Sequence, residues 1–299
     1  MSTTKRIARL LPLVALGAIG LTAVGVPTSQ GADPFVAGGR STRAVDLPAA
    51  QVDRVKARGR QLAAALGLPG VSQRTERLDD LFEHRTYDEV TSLDAAGREV
   101  AIARFEIDGT VAMAVVLNWR PGAGARVDQA GAEARGVALA RAGGLEVRGK
   151  PTVVASAGSG GWSITWSRVV DGIPVRGDGV RVALWPDGSF HGLSRVERPL
   201  AAAPPQQIAA GAARNTAEAW AAQRYGPVAV DLAVSSAERA WVAPNDTFAA
   251  NGLDAPAETL RLAWLVRLDA HGALADRLRS VEVWLDVGDD SVLGGDVVE

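Results

Sequence analysis

Apolar positions recur along this chain with two different periods. Over residues 49–66, Val52, Val55, Leu62 and Leu66 share one face of a 3.6-residue helix, and Asp53, Arg54, Lys56, Arg58 and Arg60 decorate the rest. Gly67 and Pro69 follow as stop signals. Two more helices are predicted over 127–142, ended by Gly143-Gly144, and over 205–224, ended by Gly226-Pro227. Elsewhere the period is two. Leu260, Leu262, Trp264, Val266 and Leu268 alternate with Arg261, Ala263, Leu265 and Arg267. Val281, Val283 and Leu285 alternate in the same way with Glu282, Trp284 and Asp286. Strands are predicted over 81–90, 99–107, 110–118, 161–170, 179–185, 189–196, 228–235, 259–268, 280–287 and 291–297. Asp108-Gly109, Asp187-Gly188 and Gly288-Asp289-Asp290 mark tight hairpins, with Gly188 expected at positive φ.

The helices and the Asp-Gly turns recur at a spacing of roughly 79 residues, so the chain reads as three copies of a helix followed by an antiparallel meander. The last interval is longer by the Gly/Pro/Asn-rich insertion 244–256. Each sheet then shows one apolar face for a helix to cover, which gives an α+β fold of tandem units, each a helix packed on an antiparallel β-sheet. The expected division is 1–31 leader, 32–44 linker, and units over 45–122, 123–203 and 204–299.

The leader carries Lys5, Arg6 and Arg9 before an apolar run over 10–26, the order of a secretory signal. It is either cleaved, near Gly25 or Gly31, or kept as a membrane anchor; export follows in both cases, so the expected location is secreted or extracytoplasmic. The 299 residues are 47% hydrophobic and 22% charged, enough to bury a core. A net charge of −2 with interspersed signs leaves no nucleic-acid footprint. With no cysteine, disulfides, thiol nucleophiles and cysteine-ligated metals are excluded.

Catalytic chemistry is hard to assemble from what remains. His84, His191 and His271 are isolated, and no H-E-x-x-H motif is present. Ala157-Gly158-Ser159-Gly160-Gly161 only approximates a nucleophile elbow and precedes a strand rather than a helix. Asp286, Asp289, Asp290 and Asp296 lack calcium-loop spacing and read as turn caps. Asn245-Asp246-Thr247 is a formal glycosylation acceptor. No catalytic, cofactor or metal residues are expected. Trp264 should be core, whereas Trp185 and Trp284 lie opposite the valines and leucines and, if uncovered, would form an apolar platform for a partner.

The stretch Trp162-Ser163-Ile164-Thr165-Trp166, Asp171-Gly172-Ile173-Pro174-Val175 and 179–188 resembles the propeptide domain of thermolysin-type metalloproteases. The final stretch, with 217–225, Leu262-Ala263-Trp264-Leu265-Val266 and Val283-Trp284-Leu285-Asp286-Val287, is similar to the neighbouring PepSY module. The resemblance covers roughly residues 127–299 and implies PepSY-like, cystatin-like layering. It implies a bacterial, non-catalytic relative of an inhibitory and folding-assisting module, without the protease domain. The expected partner is a secreted or cell-envelope peptidase, with no nucleic acid, and with a membrane only if the leader is retained. The alternative is a cell-envelope spacer without a peptidase partner.

Overall fold

The three helix patterns become α1 (Ala49–Leu66), α2 (Gln129–Ala142) and α3 (Ala210–Tyr225). The computed structural model describes residues 42–80, 85–117, 124–156, 160–245, 248 and 259–298. The leader 1–31, linker residues 32–41, His84, Ala157-Gly158-Ser159 and most of the insertion 244–256 lie outside the described residues. Helix ends follow local chemistry. Gly67 closes α1 at φ 69, its N–H donating to the Ala63 carbonyl. Asp128 caps α2 by accepting the Gly131 N–H at 2.7 Å.

Strands occupy β1 (Thr42–Val45), β2 (Ser72–Asp80), β3 (Arg85–Leu93), β4 (Glu99–Glu106) and β5 (Val111–Val116). They continue with β6 (Thr152–Ala155), β7 (Trp162–Val170), β8 (Ile173–Leu184) and β9 (Phe190–Val196). After a 3₁₀ turn (Gly226–Asp231) come β10 (Leu232–Val242), β11 (Arg261–Ala270), β12 (Ser280–Asp286) and β13 (Val292–Val298). Thr42, Arg43 and Ala44, expected in the linker, are strand residues paired to 78–80.

The expected tandem units, each a helix on its own antiparallel sheet with cystatin-like layering, are corrected by the strand pairing. One mixed sheet of thirteen strands forms, in the order β1-β2-β3-β4-β5-β9-β8-β10-β11-β12-β13, with β6 and β7 attached beside β8. Two junctions make it continuous. Met113–Val115 of β5 pair antiparallel with Ser194–Gly192 of β9, and Val175 of β8 pairs parallel with Trp241 of β10. Alternation along a strand says which side chains share a face, not which strand lies alongside. An edge left with unpaired N–H and C=O groups gains a ladder by joining its neighbour.

The helices follow the sheet rather than defining units. α1 and α2 cover a single apolar cluster that includes Val55, Phe105, Ile164, Trp166, Leu184 and Leu193. Both come close through glycine: an added Cβ on Gly59 would lie 2.6 Å from Val90 Cγ1, and one on Gly136 would lie 3.0 Å from Ile164 Cγ1. α3 has its own cluster, laying Ala213, Ala217 and Ala221 on Val266, Leu268, Val283 and Leu285. Between the two clusters sits a smaller one, with Val175, Trp241, Leu260, Leu262 and Val287.

Candidate binding surfaces

The β8–β10 junction exposes a strand edge. β10 matches β11 antiparallel from Leu232↔Ala270 to Val242↔Arg261, but touches β8 in register only at Trp241. β8 begins at Ile173, just after the Asp171-Gly172 tip, and runs parallel to β10. Residues of β10 before 239 therefore project past the end of β8. Among the described residues, no strand lies on that outer side over 233–239. Ala233, Ser235, Glu238 and Arg239 are exposed there. Ser235 falls outside the β11 register, in a bulge between Val234 and Ser236, and its Oγ donates to the Arg267 carbonyl at 3.4 Å. Arg239 is steadied from the helix side by Gln207 Oε1 at 3.2 Å.

The two tryptophans expected as a platform are not brought together. Trp185, half-buried, follows β8 and stacks on His191 with ring centroids 4.1 Å apart, its Nε1 buried without a hydrogen-bond partner. Trp284 faces away from α3 as its phase requires, yet it is 5% exposed and packs with Ala240, Val242, Ala263 and Leu293. Arg176 of β8 lies over its ring, 5.3 Å from the centroid. Arg176 and Trp185 are nine positions apart along the chain, roughly 30 Å for an extended strand. The open ring expected at Trp284 is thus closed in this chain. Trp264 faces α3 and is half-buried, its Nε1 donating to the Ile208 carbonyl at 3.0 Å.

Arg176 also ties two regions electrostatically. Its guanidinium pairs with Glu282 and, at 2.7 Å, with Asp296 Oδ2. Burial pushes the Asp296 carboxyl above its ordinary range; Arg176 pulls it down and Glu282 pushes it up. The other acids of the sequence cluster have separate partners. Asp286 pairs with Arg261 at 2.7 Å, Asp289 accepts from Ser291 N at 3.1 Å, and Asp290 accepts from Thr216 Oγ1 at 3.0 Å. Among the described residues, no group of three His, Asp or Glu side chains is placed to hold a metal ion. The sequon asparagine is in use as well: Asn245 Nδ2 donates to the Gly295 carbonyl at 2.9 Å, and its Oδ1 accepts the Gly295 N–H at 3.0 Å. No helix among the described residues is long and apolar enough to cross a membrane.

The predicted strand ends at 235 and so leaves out residues 236–242 of β10, which carry the rest of the open edge and the junction with β8 at Trp241. The signal was the apolar run Ala240-Trp241-Val242 after Glu238-Arg239. Arg176 was missed because its partners lie more than a hundred residues away along the chain.

No family model matches the chain, and neither does any curated protein. Among solved structures the chain is similar to the Bacillus megaterium YpeB C-terminal domain. The identity is 12% and the TM-score 0.46, with 85% of this chain and 99% of that chain covered.

Proposed function

We propose that this is a non-catalytic binding module of the extracytoplasmic space, which takes a strand of a partner protein along the free edge of β10. The observation that carries the reading is that edge: 233–239 are laddered on one side by β11 and open on the other. Main-chain hydrogen bonds supply affinity in such strand addition, and side chains alternating across the edge supply selectivity. The Ser235 bulge and the Glu238-Arg239 pair are devices that discourage indiscriminate edge pairing. A partner strand would answer them with a base opposite Glu238 and an acid opposite Arg239. Export is read from Lys5, Arg6, Arg9 and the apolar run that follows. The partner class is read from the propeptide-like order of Trp162–Trp166, Asp171-Gly172-Ile173-Pro174-Val175 and Asp187-Gly188. It is a secreted or cell-envelope peptidase, whose activity or folding the module would modulate.

The test adds purified chain to the exported fraction and follows peptidase activity. The wild type should change that activity in a dose-dependent way and retain the enzyme responsible. Ala237→Pro should do neither while keeping the fold. Ala237 pairs with Val266, a residue that bonds toward β12, so its own N–H faces the open side, where an edge strand tolerates proline but proline cannot donate to an added strand. Unchanged activity at saturating chain would refute the reading, and retention of nothing would favour a spacer.

A further inference from the structure

The β4–β5, β8–β9 and β12–β13 hairpins are built alike. Each skips one residue of its second strand just past the turn. Phe105↔Val111 is followed by Arg104↔Met113, Leu184↔Phe190 by Ala183↔Gly192, and Leu285↔Val292 by Trp284↔Gly294. Counted from that bulge, Ala114, Leu193 and Gly295 are equivalent positions. The first two of these second strands pair with each other along their outer edges. Met113↔Ser194, Ala114↔Leu193 and Val115↔Gly192 run antiparallel and are symmetric about the equivalent residues Ala114 and Leu193. The third, β13, ends the sheet order, with no strand on its outer side among the described residues.

Asn245 stands at that edge instead. Its N–H donates to the Leu293 carbonyl at 2.9 Å. Its side-chain amide gives Gly295 both a donor, at 2.9 Å, and an acceptor, at 3.0 Å, as the facing residue of a neighbouring strand would. Glycine inside a strand marks a close approach. Gly294 sits at φ 141, and an added Cβ there would lie 2.7 Å from Asn245 Cγ. A Cβ on Gly295 would run into the Phe248 ring, which packs 4.7 Å from Trp220.

The rest of β13 is complementary to itself. Two copies paired about Gly295, in the register of β5 and β9, would set Val297 opposite Leu293 of the second copy and Val298 opposite Val292. Asp296 would face Gly294 rather than its own image, so no like charges would oppose each other. Val297 and Val298 are 44% and 41% exposed, apolar side chains at a sheet edge. We infer that β13 is a self-pairing edge, to which a second copy of this chain adds its own β13 as β9 adds to β5, and that the seated Asn245 and Phe248 hold this edge shut. β13 lies three strands from β10, so the pairing stands or falls independently of strand addition there.

Sedimentation velocity on the full chain tests the assignment. The wild type should sediment as a monomer. Asn245→Ala with Phe248→Ala should strengthen dimerisation at least about tenfold, the net effect of about one hydrogen bond. Asn245→Asp, which sets a carboxylate against the Gly295 carbonyl, should do the same with Phe248 in place. Val297→Pro added to either variant should return it to the monomer. The N–H of 297, two residues beyond Gly295, points to the same outer side, where an edge strand tolerates proline but proline cannot donate to a second copy. A wild type that dimerises as strongly as the variants, or variants that stay monomeric, would overturn the assignment. So would a dimer that survives Val297→Pro, which would place the contact on another edge such as β10. If the double variant does not fold, Asn245→Asp decides.

Discussion

The two ends of the sheet treat their second face differently. Beneath α3, Val266, Val281, Val283 and Leu285 fill one face. Behind them the other face is also apolar and buried, with Ala240, Val242, Ala263, Trp284 and Leu293 under the Arg176 side chain. In the α1–α2 region only the helix face is a continuous core. Its reverse carries Glu89 paired to Arg104 at 2.8 Å and Arg181 bonded to Ser163 at 2.9 Å, beside half-buried Ile102 and Met113. Phase along a strand tells which way a side chain points. Whether that side is covered depends on what the rest of the chain lays over it.

The largest test of this contrast is a pair of truncations. Trp284→Ala should cost about 3–5 kcal/mol, as cavity-forming aromatic truncations do. Met113→Ala, on the half-open reverse of the first region, should cost about 1 kcal/mol. Thermal or denaturant unfolding measures both, and equal losses would mean that the second face is closed at both ends.

The hairpins sharpen the comparison at smaller scale. Asp187-Gly188-Ser189 and Asp289-Asp290-Ser291 make the same turn, each aspartate accepting from the serine N–H and Oγ. Gly188 sits at φ 78 and Asp290 at φ 55. Valine at 188 would be strained there, and its Cβ would also lie 2.8 Å from Arg135 Cδ and 3.0 Å from Val127 Cγ1. Gly188→Val should cost about 1–3 kcal/mol, whereas an unchanged midpoint would remove the turn from the account.

The smallest effect is electrostatic and opposite in sign in two settings. Asp296 is raised mainly by burial. Asp108 is lowered mainly by the Thr110 N–H, and Asp289 mainly by the Ser291 side chain. The folded chain holds the Asp296 proton more tightly than the unfolded chain does. Its contribution to stability is therefore complete below the unfolded value of about 3.9 and lost as pH rises through the folded value. For Asp108 and Asp289 the contribution is present above that unfolded value and lost as pH falls through their folded ones. Carboxyl-carbon NMR titration should place Asp296 above the other two, and Arg176→Met should move it higher still. A lower value in that variant would mean that Arg176 does not act on Asp296.

Much of the local structure was legible in the residues. The limits of α1 follow from its apolar stripe and from Gly67, and the left-handed Gly188 follows from the Asp-Gly turn. β2 was not legible because Arg74, Arg77, Asp79 and Asp80 give it no apolar alternation; it is held by a ladder to β3 and by ion pairs. The first half of β8, 173–178, lies outside the predicted strand 179–185, although it supplies both Val175 and Arg176 to the junction with β10 and its neighbours. The continuity of the sheet rests on pairings such as Val115↔Gly192 and Val175↔Trp241, which are contacts between distant stretches and leave no local pattern.

Residue-resolved amide hydrogen exchange along β10 tests the central claim most directly. In the free chain, the amides over 233–239 that point away from β11 should exchange rapidly while those pointing toward it stay protected. On addition of the partner peptidase the rapid set should slow, with no change in β11. Uniform slow exchange over 233–239 in the free chain, or a rapid set unaffected in the complex, would contradict it.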